Sequence, residues 1–201
     1  MNGPMDGPMS APLEEPLNVL VVFGSVRRDR KGLRVVHALM GELARRGHAP
    51  ELADPAEIVL PLLDRMYKEY PEGEAPAPME RMAGMIRRAD AVIVVSAEYN
   101  HAPPAALKNV LDHFLEEWNG KPCGICTYSA GPFGGVRAAM GLRMILAELG
   151  MPTIPTLLPV PRVGAEDALG ERFERGMARF LDELTWWTEA SRMRQAADGR
   201  G

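Results

Sequence analysis

The chain has 201 residues, 46% of them hydrophobic, and 23 basic against 27 acidic residues give a net charge of −4. That length suits one α/β domain with a sizeable core, and the mild acidity argues against nucleic acid as the main partner, because phosphate backbones need a basic face. No apolar run approaches the roughly 18–20 residues of a membrane span, and the opening "MNGPMDGPMSAPLEEP" lacks a basic stretch followed by an apolar one, so neither a membrane anchor nor a secretory leader is expected.

Residues 1–16 are rich in Pro, Gly and Met without a period and read as a flexible tail. "LNVLVVFG" (17–24) is a continuous apolar strand. It is followed by a helix in "GLRVVHALMGELARRG", with Leu33, Val36, Leu39, Met40 and Leu43 at helical spacing. "APELAD" (49–54) is a short second strand and "YKEYPEGEAPAP" (67–78) a turn-rich loop. Met79, Met82, Met85 and Ile86 mark a helix leading to Arg88, and "DAVIVV" (90–95) is the third strand. "PAALKNVLDHFLEEW" (104–118) reads as one helix, opened by prolines that suit a first turn. "KPCGICTY" (121–128) is the fourth strand, and a helix occupies "GGVRAAMGLRMILAELG". "TIPTLLPV" (153–160) is a fifth strand weakened by its prolines. A final helix covers 165–192, with a break expected near Gly176, and 191–201 is expected to be a flexible tail, which leaves 17–190 as a single domain.

Strands that are apolar throughout have both faces covered, which marks a parallel sheet between helices, and the strand–helix alternation gives a doubly wound α/β fold. Ligands of such sheets bind beyond the carboxyl ends of the strands. The two cysteines, Cys123 and Cys126, form a C-x-x-C, yet they stand three apart on a strand, so their sulfurs should point to opposite faces. Core packing is the expected role, with neither a disulfide framework nor a zinc site, and a cytoplasmic setting is expected.

Three loops lie where a ligand should. The first, "GSVRRDRKG" (24–32), combines a glycine, a serine hydroxyl, three arginines and a lysine with a helix N-terminus, the ingredients of an anion cradle. With no GK[ST] and no G-x-G-x-x-G it suits a single phosphate better than a dinucleotide pyrophosphate; the alternative is a solvated basic loop. The second, after the third strand, presents Glu98, Tyr99, Asn100 and His101, whose aromatic ring and backbone groups can meet a flat heterocycle. Glu98 reads either as a solvent-facing acid or as the partner of a basic residue. His101 is a candidate for protonation, or a loop histidine with a solvent hydrogen bond. The third, "TYSAGPFGGVRA" (127–138), has glycines that allow close backbone approach, or is a plain glycine-rich turn. A phosphate at one end and a planar ring at the other describe FMN.

These motifs resemble the NADPH-dependent FMN reductase family. Gly24, Ser25, Arg27, Arg30 and Gly32 match its G-S-x-R-x-x-R-x-G loop, and Glu98, Tyr99, Asn100, Pro104, Leu107, Lys108, Asn109 and Asp112 match its P-E-Y-N-x-x-x-P-x-x-L-K-N-x-x-D stretch. Tyr128, Ser129, Gly131, Gly134, Gly135, Arg137 and Ala138 match its Y-S-x-G-x-x-G-G-x-R-A pattern, while Ala97 departs from the family's usual proline. The resemblance implies a flavodoxin-like three-layer sandwich whose five parallel strands run in the order 2-1-3-4-5. It implies that Ser25, Arg27 and Arg30, with Gly32, hold the FMN phosphate. The Ala97–His101 turn would border the ring, and Tyr128, Ser129, Gly131 and Gly134 would complete the wall. Hydride would pass from NADPH or NADH to FMN and on to a small acceptor (flavin, quinone or azo compound) in a ping-pong scheme, with no catalytic side chain required. A homodimer or dimer of dimers is implied, with Trp118 serving either the contact or the core. A flavodoxin-like electron carrier and a flavin-binding redox sensor are the alternatives; carriers tend to be acidic around the flavin, and the first loop here is basic.

Overall fold

The computed structural model describes residues 15–197. Its strands are β1 (Asn18–Phe23), β2 (Ala49–Ala53), β3 (Ala91–Ala97), β4 (Cys123–Tyr128) and β5 (Thr153–Val160). Between and after them come α1 (Leu33–Arg45), α2 (Ala77–Arg88), α3 (Ala105–His113), α4 (Val136–Glu148) and α5 (Glu171–Ala197). The five strands form one parallel sheet in the order β2-β1-β3-β4-β5, as expected.

The solid apolar strands are explained by burial on both faces. Leu20, Val22, Val92 and Val94 pack under α2, α3 and α4. Their neighbours Val21, Phe23, Ile93 and Val95 pack under α1 and α5. Each large side chain fully buried in this way contributes about 1.5–3 kcal/mol relative to exposure. Cys123 lies in the first core and Cys126 in the second, so the C-x-x-C is split by the sheet and both thiols are free. The prolines of β5 are tolerated because β5 is an edge strand, and the pairing is irregular between Cys123 and Ile125, opposite Pro155.

Three boundaries differ from expectation. The helix read over 104–118 stops at His113, since Phe114 turns to extended backbone (φ −123, ψ 148). Phe114 and Trp118 then both reach the core, and the Trp118 indole Nε1–H donates to the Leu111 carbonyl at 3.2 Å. Trp118 therefore serves the core. The last helix is unbroken at Gly176, which instead lets α5 approach β5: a Cβ there would stand 3.3 Å from Leu158 Cδ1. That helix also continues past residue 190, where Arg192 bridges Glu15 at 3.2 Å and Asp90 at 3.7 Å. The tails expected at 1–16 and 191–201 otherwise lie, at 1–14 and 198–201, outside the described residues. Among the described residues no helix is long and apolar enough to cross a membrane.

Candidate functional site

The first loop leaves the sheet where Gly24 donates its amide to the Val95 carbonyl at 2.9 Å. Ser25 is buried, and its hydroxyl lies 3.3 Å from the Tyr99 hydroxyl while accepting the Arg27 amide at 3.4 Å. The Arg27 guanidinium lies 5.9 Å from the centre of the Tyr99 ring. The first two loops are thus joined through Ser25, Arg27 and Tyr99. Gly32 has a packing duty, since a Cβ there would fall 2.3 Å from Tyr128 Cζ. Arg30 is tied to the end of β2: its Nη1 reaches both carboxylate oxygens of buried Asp54 at 2.6 Å. Arg27, Arg28 and Lys31 are exposed, and Lys31 stands 3.8 Å from Asp29.

The second loop is a two-residue hairpin. Tyr99 and Ala102 exchange both backbone hydrogen bonds at 3.0 Å, and Asn100 (φ 49) and His101 (φ 67) both occupy the left-handed region. This is the type I′ pattern. Asparagine and histidine are among the non-glycine residues that enter this region most often; each does so at a cost of order 1–3 kcal/mol, which the surroundings must over-determine. Tyr99 is left 36% exposed at the edge of the sheet. Ala97, at the family's proline position, ends β3 paired with Tyr128, and its carbonyl accepts the Ser96 hydroxyl at 2.8 Å.

Glu98 proves to be a partnered acid. Its Oε2 accepts the backbone amides of Arg137 (3.0 Å) and Ala138 (3.1 Å), and Oε1 stands 3.5 Å from the Arg137 guanidinium. The carboxylate thereby satisfies two orphan donors of the first turn of α4 and sits at the positive end of its dipole. It ties the second loop to the third, and both oxygens are engaged by the protein.

The third loop is knitted to the strand ends. Thr127 donates its hydroxyl to the Gly134 carbonyl (2.8 Å), Ser129 donates to the Gly131 carbonyl (3.0 Å), and the Arg162 amide donates to that same Gly131 oxygen (2.9 Å). Gly135 (φ 81) is required twice over, by its left-handed backbone and because a Cβ would meet Thr127 Cβ at 2.9 Å. Gly134 (φ 64) is likewise pressed against Pro159, whereas Gly131 faces open space. Tyr128 is buried beside Phe23, their ring centres 6.3 Å apart. Burial pushes its phenol well above the ordinary value, with the Ser25 hydroxyl opposing the shift. Phe133 is exposed, with the Arg137 guanidinium 4.5 Å from its ring centre.

The remaining candidates carry no competing chemistry. Burial pushes the Cys123 thiol up to about 12 and the Cys126 thiol higher still, so both stay protonated near neutral pH. Among the described residues no group of three or more His, Cys, Asp or Glu side chains could hold a metal ion. His113 is buried with Nδ1 at 2.7 Å from the Asn109 carbonyl. Two site features escaped the sequence reading. Phe133 sits inside the third loop, and Asp54 directly follows β2, where a place at a strand's carboxyl end is the signal the sequence offers.

The strand order, the two covered faces and the polar loops at one edge define a flavodoxin-like α/β protein. A flavodoxin from Pseudomonas aeruginosa superposes with a TM-score of 0.57 at 17% identity, over 84% of this chain and 99% of that one. The chain belongs to the NADPH-dependent FMN reductase family, whose sequence profile matches residues 17–164, and so to a family of oxidoreductases. A quinone reductase of Pseudomonas putida is 32% identical over 188 residues, covering 87% of this chain and 96% of the relative. A flavoenzyme NAD(P)H:(acceptor) oxidoreductase from Paracoccus denitrificans has the same fold, with a TM-score of 0.72 at 24% identity over 87% and 98% of the two chains.

Proposed function

We propose that this chain binds FMN across the three loops and reduces a small acceptor, a quinone first of all, with NAD(P)H as electron donor. The observation that carries the reading is the junction of the phosphate-type loop with the ring-type turn, where the Ser25 and Tyr99 hydroxyls lie 3.3 Å apart beside Arg27. The residues fit the cofactor. Ser25, the exposed Arg27 guanidinium and the free edge of Arg30 suit a phosphate. The turn at 97–101 offers backbone groups to a polar ring edge, and Ser129 and Gly131 stand at the end of β4. Tyr128 is buried against Gly32, and Gly32 and Gly134 let the loops close on the strands. Glu98 serves by holding the turn to α4.

When bound, FMN supplies hydride acceptance and onward electron donation. The protein's part is to hold the phosphate, present one ring face at the open edge, and leave room for nicotinamide and acceptor in turn, which makes the reaction ping-pong. Basic Arg27, Arg28 and Lys31 favour this reading over an electron carrier, and they suit the phosphates of either nicotinamide cofactor. The similarity to the quinone reductase of Pseudomonas putida supports a quinone as acceptor. The proposal includes a cytosolic homodimer, with exposed Leu62, Met140 and Met144 as apolar surface open to a second copy. Sedimentation of the purified chain tests the dimer. For the reaction, the protein is mixed with FMN and followed anaerobically by absorbance. Bleaching by NADPH or NADH and recovery on adding a quinone are expected; bound flavin that neither nicotinamide reduces would overturn the reductase reading.

A further inference from the structure

We infer that Asp54 is the positioning residue for Arg30, and that this pair makes the site prefer a phosphorylated flavin over the same flavin without phosphate. The inference rests on the FMN reading above and names the residue that gives the first loop its selectivity.

Asp54 stands directly after β2 and is 3% exposed. Its carboxylate cannot swing freely. The Asp54 carbonyl accepts the amides of Glu57 (3.0 Å) and Ile58 (2.9 Å), and Oδ1 accepts the Ala56 amide at 2.9 Å. On this fixed acceptor the Arg30 Nη1 makes two contacts of 2.6 Å. The guanidinium is steadied on a second side by the Phe23 ring, 5.8 Å from its centre, and Arg30 itself leads into α1 by accepting the Leu33 amide at 3.0 Å.

The consequence follows from the shape of arginine. A guanidinium carries five N–H donors in a rigid plane. Asp54 takes only Nη1, and among the described residues Nε and Nη2 have no hydrogen-bond partner. That edge offers two parallel donors, the arrangement that grips a phosphate in bidentate fashion. A free arginine loses rotamer entropy when it is ordered; Asp54 imposes that order before any ligand arrives. Because Asp54 also neutralises Arg30, the pair contributes oriented donors more than net charge. The net positive charge comes from Arg27, Arg28 and Lys31. Selectivity for the phosphate therefore depends on Asp54 without Asp54 touching the flavin.

The test is a pair of titrations, FMN and riboflavin, on the flavin-free protein, followed by quenching of flavin fluorescence. For Asp54→Asn, FMN affinity should fall about tenfold, the scale of one charge-assisted hydrogen bond, with riboflavin affinity unchanged. Equal losses for both flavins would mean that Asp54 only supports the fold, and would overturn the inference. So would an unchanged ratio, or tighter FMN binding from relief of negative charge. Should Asp54→Asn fail to fold, Arg30→Lys keeps the charge and the ion pair but lacks the second edge. It must show the same fall in the FMN to riboflavin ratio, and an unchanged ratio there overturns the inference too. A native protein that binds neither flavin would sink the FMN reading itself. A native protein that prefers FMN while both variants keep its ratio would sink the role of the Asp54–Arg30 pair and leave the FMN reading standing.

Discussion

The two edges of the sheet use the same kinds of residue to opposite ends. At the amino edge, Asp90 accepts the Asn18 amide at 2.7 Å, Lys121 donates to the Ala89 carbonyl at 2.6 Å, and His48 accepts the Leu17 amide at 3.4 Å. Even the hollow of about 160 Å³ found there, lined by Asn18, Pro50, Met85 and their neighbours, has its charged members Arg88 and Glu51 paired at 3.0 Å. At the carboxyl edge the acids are engaged, Asp54 by Arg30 and Glu98 by α4. Arg27, Arg28, Lys31 and the Tyr99 ring remain exposed. An edge whose donors find protein acceptors holds the strands in register; an edge that leaves donors over is where an anionic ligand is recognised. That the carboxyl edge is the one left open agrees with the general rule for open α/β sheets.

The sharpest way to break the carboxyl edge is Gly32→Ala. The added methyl would collide with the Tyr128 ring at 2.3 Å. Overpacking of this kind costs roughly 1–3 kcal/mol, so a clear fall in Tm is expected, with loss of flavin affinity as the loop shifts. Next is Arg27→Ala, which removes an exposed guanidinium that has no ion pair among the described residues. FMN affinity should fall about tenfold with Tm unchanged, and titration beside a melting curve checks both halves. Replacing Arg27 and Arg30 together should lower affinity further, but here stability suffers as well, because buried Asp54 loses its partner.

A smaller effect is expected for Glu98→Gln, which keeps an acceptor at α4 but removes the charge. About 0.3–1 kcal/mol should be lost, read as a lower urea midpoint. The amino edge supplies the control, His48→Gln. Burial, with the Arg46 charge adding to it, holds the His48 imidazole below its ordinary value of 6.5, so the unfolded chain binds the proton more readily. Its contribution is full above about 6.5 and is lost as pH falls through the window just below. The native protein should therefore lose more Tm between pH 7 and pH 5 than His48→Gln does, while flavin affinity is alike in the two at pH 7.

Much of this was legible in the sequence because it is local. The apolar runs of β1 and β3 announce burial on both faces, and the polar loops announce their edge by following those strands. What was not legible depends on distant partners. Nothing around Glu98 reveals that its acceptors meet the amides of Arg137 and Ala138 some forty positions along. Nothing in the first loop reveals that Arg30 is held by Asp54 from the next strand end. The helix continued by periodicity through 114–118 is cut short because Phe114 and Trp118 gain more by entering the core than by extending a helix. Gly176 looked like a breaker, whereas its role is set by Leu158 on another element.

The measurement that tests the contrast between the edges most directly is amide hydrogen exchange of the flavin-free protein with and without FMN. The expected result is slower exchange in 24–32, 97–102 and 127–135, with no change in 88–90 and 119–123 at the opposite edge. Protection at the amino edge, or bound FMN that slows none of the three loops, would contradict the account.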